Sequence, residues 1–356
     1  GYFAETFTSH DAIYATGIVE KLTECLDVAI IDFNFYDGYG LVADANVLPA
    51  LANYLGSLGY QKIMVGAYAE RWEAEGKTRE LMPVMQRAIT QSLSQDRVIG
   101  YEIGGIAHQS GSSSPLADLQ MNKLVPPPTS PTAVDKRLGR IRIGVLGSTA
   151  NFHVWHGERS AGRNIHRDAL FAAYQLLASH NDMDVRIIGE KNLLQDNDPV
   201  LQNLDAIVIP HQVALPQQLK TRLTAFWKRG GALIQDMRLG EFDENGKPTF
   251  DWMHEVFGIA DVEWKNHGGI FLIDKAIYRL KPSRRQYTGY AAITPRPGYK
   301  LLATELLRSD KGIMVRGVRT LTFGLMPQLA EGPTAEAWKN LFVQEIKNTL
   351  PPKKVT

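Results

Sequence analysis

Along the first third of the chain, short and nearly unbroken apolar runs alternate with longer stretches in which apolar side chains recur every three or four positions. Residues 27–35 (Asp-Val-Ala-Ile-Ile-Asp-Phe-Asn-Phe), 62–68 and 98–103 are runs of the first kind, the signature of strands buried on both faces. Residues 2–7 fit the end of a further strand. The helical period predicts helices over 10–25, 47–58, 80–93 and 115–124, with Gly59 placed to stop the second. Strands separated by helices of this length form βαβ units on a parallel sheet. Counting residues 2–7, four strand–helix units are expected where a closed barrel needs eight. Half a barrel leaves two open sheet edges, so the other half is expected on a preceding segment or a partner chain.

A second series begins after residues 125–139, where Pro126, Pro127, Pro128 and Pro131 stand among Ser and Thr as a linker. Strands are expected over 140–146, 184–188, 204–210 and 232–236. Helices are expected over 166–179 and 217–229, the latter closed by Gly230 and Gly231. This is the pattern of a doubly wound sheet. Asp243-Glu244-Asn245-Gly246 marks a turn, strand-like segments continue through 312–322, and a closing helix is expected over 334–349. The fold class is thus α/β: a partial (β/α) barrel made of its last four βα units (1–124), a linker (125–139), and a flavodoxin-like doubly wound domain (140–350).

Composition narrows function mainly by exclusion. The 356 residues carry a formal net charge of +1, too weak a field to gather nucleic acid or acidic lipid. No apolar run reaches the roughly 18 residues that cross a bilayer, and the first residues lack the pattern of a secretory signal. Neither nucleic acid nor membrane is an expected partner. Cys25 is the only cysteine, which excludes an internal disulfide and a cysteine-based zinc site.

In β/α barrels the reacting groups project from the C-terminal strand ends, where the loops converge. Read in order, those ends offer Glu5; then Asn34, Tyr36 and Asp37; then Tyr68 and Glu70; then Glu102. Four successive ends each carry a carboxylate. Glycosidic bond cleavage needs such a set: one carboxyl protonates the leaving oxygen, and another attacks or stabilises the sugar cation about 5–5.5 Å away in a retaining mechanism. Tyr36, Tyr39, Tyr68 and Trp72 could stack on sugar rings. A carboxylate just past a strand also serves as a helix cap or an arginine partner, a reading that suits any one of the four better than all together.

The order of residues 1–10 (Gly-Tyr-Phe-Ala-Glu-Thr-Phe-Thr-Ser-His), 28–37 (Val-Ala-Ile-Ile-Asp-Phe-Asn-Phe-Tyr-Asp), 63–72 (Ile-Met-Val-Gly-Ala-Tyr-Ala-Glu-Arg-Trp) and 98–105 (Val-Ile-Gly-Tyr-Glu-Ile-Gly-Gly) resembles strands five to eight of a clan A glycoside hydrolase. Downstream, residues 204–210, 226–234, 240–246 and 256–259 resemble the trimerisation domain of glycoside hydrolase family 42, the β-galactosidases. The resemblance implies a carbohydrate substrate, no cofactor, no metal and a homo-oligomer. It implies Glu70 as the nucleophile, with Tyr36 or Asp37 contacting sugar or nucleophile. Two departures stand out. The clan's acid/base Glu belongs to a fourth strand that would precede Gly1, and the eighth strand has Tyr101 and Glu102 where family 42 has a Trp-Arg pair.

The second domain shares its topology with class I glutamine amidotransferases, which need a Cys on a sharp turn after a strand. The corresponding turn reads Ile209-Pro210-His211-Gln212-Val213, so no thiolate is available for that chemistry. Gly144 through Thr149 lacks the glycine spacing of a phosphate loop. His153, His156 and Glu158 could hold a metal, but ordinary polar contacts are the more economical reading, and Trp155 suits an interface anchor. Arg284 and Arg285 read as solvated surface. Two functions follow: a retaining glycosidase whose acid/base lies elsewhere, or a non-catalytic carbohydrate-binding or assembly scaffold.

Overall fold

The structure, a computed structural model, describes residues 22–33, 45–68, 78–104, 140–151, 165–196, 198–238, 240–280 and 289–350. The chain forms two units, 1–140 and 141–356.

In the first unit, strands β1 (Ala29–Phe33), β2 (Ile63–Tyr68) and β3 (Val98–Gly104) alternate with helices α1 (Val47–Leu58) and α2 (Thr78–Leu93). The strands lie side by side in chain order, all parallel. Side chains alternate across a strand, and burial follows that alternation: Ala29, Ile31, Ile63 and Val65 are buried, whereas Ile30 and Met64 are only half-buried. Helix α1 packs on β1 and β2, and α2 on β2 and β3. The stripe Leu81, Met85, Ala88, Ile89 and Ser92 gives α2 one buried face. Gly59 ends α1 at φ 117°, a conformation that costs glycine least, with its N–H bonded to the last-turn carbonyls. Each strand and helix lies within two residues of its sequence expectation. Residues 2–7, most of 10–25, 115–124 and the linker 125–139 lie outside the described residues.

The second unit opens with β4 (Ile141–Gly147), α3 (Ile165–Ala178), β5 (Met183–Gly189), short helices α4 (Glu190–Leu194) and α5 (Pro199–Gln202), β6 (Ala206–Ile209), α6 (Gln217–Lys228) and β7 (Ala232–Asp236). Helix α7 (Asp251–Phe257) leads into β8 (Ile259–Lys265), β9 (Gly269–Ile273), β10 (Ala276–Leu280), β11 (Tyr290–Pro295), β12 (Lys300–Glu305), β13 (Arg308–Gly317) and β14 (Thr320–Phe323), and α8 (Ala335–Thr349) closes the unit. Strands β5, β4, β6, β7 and β14 stand in that order, all parallel. The order reverses between β4 and β6, which makes that gap the topological switch point. From β14 the sheet continues antiparallel through β13, β12, β9 and β10, with β11 branching from β13 and β8 pairing with β11.

A core of Leu146, Ile207, Ile209, Leu223, Phe226, Leu233, Trp252, Phe257 and Val315 joins the parallel and antiparallel parts. The 243–246 turn forms as expected, with Asp243 accepting from the Asn245 and Lys247 amides.

Candidate functional site

The three parallel strands of the first unit bring their C-terminal ends to one edge of the sheet. Of the residues expected there, Glu102 is fully described, on β3. Tyr68 ends β2 as a backbone position, its side chain outside the described residues. Glu5, Asn34, Tyr36, Asp37, Glu70 and Trp72 lie outside the described residues. In sequence, β1 leads directly into Asn34, and β2 is followed by Ala69 and Glu70.

Glu102 is half-buried and stands in register with Gly66 of β2. A Cβ on Gly66 would meet Glu102 Cγ at 2.8 Å, Glu102 Oε1 at 3.3 Å and the Ile31 carbonyl oxygen at 2.7 Å. The Glu102 side chain therefore leans over β2, across the strand that carries the sequence to Glu70. Within the described residues the carboxylate forms no hydrogen bond or ion pair.

A second concentration of polar side chains fills the switch point of the second unit, at the C-terminal ends of β4 to β7. His166, on the first turn of α3, is wholly buried. The Ser148 backbone N–H donates to its Nε2 at 3.1 Å, and its Nδ1 lies 3.0 Å from the Pro210 carbonyl. Those partners fix the tautomer, with the proton on Nδ1. Burial pulls the imidazole down to about 4, against the bonds to the 210–211 backbone, so the ring is neutral. Ser148 Oγ donates to Glu190 Oε1 at 2.6 Å, tying the end of β4 to the start of α4.

The turn after β6 is pinned from several sides. His211 sits at φ 42°, rare for a residue with a side chain. Its N–H donates to Asp236 Oδ1, and its carbonyl accepts from Asn151 Nδ2 at 2.5 Å. Asn151 Oδ1 in turn accepts from the Val213 and Ala214 amides at 2.9 and 3.3 Å. Asp236 Oδ2 accepts from Gln328 Nε2 at 2.6 Å. Burial lifts the Asp236 carboxyl to about 7, opposed by the Gln328 and His211 bonds, and among the described residues Asp236 forms no ion pair. Burial also lifts Glu241 to about 7 despite Arg238, whose Nε is 3.1 Å from Glu241 Oε1.

This network holds a strained turn, and the residue at the turn is a buried histidine, not a cysteine. Its members were not singled out as a set in the sequence. The available signal was that Ser148, Glu190, Pro210 and Asp236 each end or directly follow an apolar run. Among the described residues, no group of three or more His, Cys, Asp or Glu could hold a metal, and no helix is long and apolar enough to cross a membrane.

No protein-family model matches the chain, and no curated protein does. Solved structures do. Gan42B, a GH42 β-galactosidase from G. stearothermophilus, superposes with a TM-score of 0.66 at 13% identity, covering 94% of this chain and 51% of that one. The β-galactosidase from Bacillus circulans sp. alkalophilus gives 0.63 at 12% identity, covering 94% and 52%. The β-galactosidase from Rahnella sp. R3 gives 0.65 at 13%, covering 93% and 52%. The chain spans about half the length of these structures. At such identities the likeness is one of fold: this chain has the mixed α/β fold of roughly half a GH42 β-galactosidase chain.

Proposed function

We propose that the chain is the C-terminal portion of a retaining, β-galactosidase-like glycoside hydrolase of clan A, acting on a β-linked sugar. The carrying observation is that the likeness to GH42 enzymes runs over 94% of the chain. In this reading residues 1–124 are the last four βα units of a barrel, 125–139 the linker, and 140–350 a class I amidotransferase-like domain in the place of the family's trimerisation domain. The parallel order β1-β2-β3 and the half-buried inner side chains Ile30 and Met64 support an arc of a larger barrel.

Glu70, following β2, attacks the anomeric carbon. The acid/base carboxyl comes from the other half-barrel, on a preceding segment or a partner chain. Asn34, Tyr36, Asp37, Tyr68, Trp72, Glu5 and Glu102 line the sugar site, and the assembly is a homo-oligomer. No metal or cofactor enters the mechanism.

Glu70→Gln in the full-length protein tests this reading, because it removes the nucleophile and keeps the shape. Hydrolysis of an aryl β-galactoside should fall by roughly three orders of magnitude or more, with sugar binding retained. Turnover at the wild-type rate rejects Glu70. The second reading, a carbohydrate-binding scaffold, draws on Glu102 standing where the family has a Trp-Arg pair. It is the outcome if the full-length wild type binds sugars and hydrolyses none.

A further inference from the structure

The inner face of the β1-β2-β3 sheet has one feature that a barrel interior packed with aliphatic side chains would not need. Two glycines lie beside Glu102 on that face. Gly66 is its register partner on β2, and Gly100 precedes it by two residues on β3, hence on the same side of the strand. Glycine inside a strand costs stability, roughly 0.5–1 kcal/mol against alanine, and often marks a place where another group approaches closely.

Each glycine leaves a different kind of room. The space above Gly66 is occupied by Glu102 itself, with Cγ and Oε1 within 2.8 and 3.3 Å of where a Cβ would stand. A Cβ on Gly100 would meet nothing within 4 Å. The carboxylate thus lies in a shallow notch, folded across β2, with open space beside it. It has no hydrogen bond or ion pair to any described residue, although desolvating a carboxylate without compensation is costly. Of the inner-face side chains that are described beside it, Ile30 and Met64 carry no donor, and the register partner of Gly66 on β1 is a further acid, Asp32.

A half-buried carboxylate with free acceptor positions beside open space is suited to two neighbouring hydroxyl donors, the pattern that adjacent hydroxyls on a pyranose ring present. We propose that Gly66 and Glu102 together form a hydroxyl-binding notch: Glu102 accepts from a vicinal hydroxyl pair of the bound sugar, and Gly66 is the positioning residue that lets its side chain lie across β2. This rests on the glycoside hydrolase reading and adds to it a specificity determinant at a position where Glu102 departs from the family pattern.

The test is sugar affinity of the full-length protein, by titration calorimetry with methyl β-galactoside, methyl β-glucoside and their monodeoxy analogues. Glu102→Gln keeps the shape and removes the charge. It should weaken the best-bound glycoside at least roughly tenfold, as expected for hydrogen bonds to a charged group. For a deoxy analogue lacking one of the paired hydroxyls, the same substitution should change affinity far less, a coupling that a structural role for Glu102 would not produce. Glu102→Asp, a carboxylate one methylene shorter, should fall between. Gly66→Ala should weaken binding as Glu102→Gln does. Because its Cβ also meets the Ile31 carbonyl, it is read only if the variant folds, and the Glu102 pair decides otherwise.

Wild-type affinity in Glu102→Gln, or an equal loss for every deoxy analogue, overturns the notch and leaves the glycosidase reading standing. A full-length wild type that binds none of the glycosides removes both.

Discussion

The buried Asp236 carboxyl gives a prediction whose sign can be worked out at the residue scale. Its folded pKa is raised to about 7, chiefly by burial, from about 3.9 when unfolded. Between those values the folded state holds a proton that the unfolded state has lost. The contribution is therefore fully present below about pH 4 and is lost as pH rises through 7. The loss amounts to up to about 4 kcal/mol across that window. Asp236→Asn carries no charge and keeps an oxygen for the His211 N–H. Its amide can donate to Gln328 Oε1, which has no hydrogen-bond partner in the wild type. Urea midpoints measured from pH 4 to 8 should show the variant gaining on the wild type as pH rises. Glu241 shifts in the same direction, but it is common to both proteins and cancels in the difference. A difference that stays flat across the range would mean that Asp236 is ionised in the folded protein throughout.

Among the elements, helix α7 depends on its C-terminal stop. Gly258 adopts φ 63°, and a Cβ there would stand 2.2 Å from the Tyr299 ring. Gly258→Ala combines a left-handed alanine with displacement of that ring, so it should destabilise by roughly 2–3 kcal/mol. Thermal unfolding of this one variant checks it, and a midpoint within a degree or two of the wild type would show that the ring moves freely. Helix α7 also marks where the sequence stopped being legible. Strands β1 to β3 and β4 to β7 were readable because each is a short, nearly unbroken apolar run. Helices α1, α2, α3, α6 and α8 were readable because their periods last three turns or more. Seven residues of α7 span two turns, too few for a period to stand out. The 259–323 segment could be read as strands but not as an antiparallel extension, because strand partners are set by register across long separations. The candidate site divides in the same way. Glu102 was visible from its place at a strand end, whereas the part played by Gly66 depends on a cross-strand register that no local pattern encodes.

At the scale of the whole molecule, the two units solve the burial problem differently. The second unit closes its own core: the cluster from Leu146 to Val315, and a smaller one including Ile165, Val213, Met237 and Met326, draw only on residues beyond 140. Its edge strand β5 is one of five parallel strands, and α8 covers the antiparallel extension, with Trp338 against Phe271 and Tyr278. The first unit buries the helix-covered face of β1 and β2 but leaves Ile30 and Met64 half-exposed on the other, and on β3 Ile99 is exposed and Tyr101 only half-buried. A sheet with one apolar face incompletely covered gains less from burial than the same sheet closed into a barrel. Expressed separately, residues 140–350 should therefore fold alone and unfold in urea through one cooperative transition, while residues 1–139 should bind a hydrophobic dye and lose structure gradually. Far- and near-ultraviolet circular dichroism on the two fragments distinguishes the cases. A sharp, dye-free transition for 1–139 would mean that its sheet is complete as it stands, and the arc-of-a-barrel reading, with the absent acid/base it entails, would have to be given up.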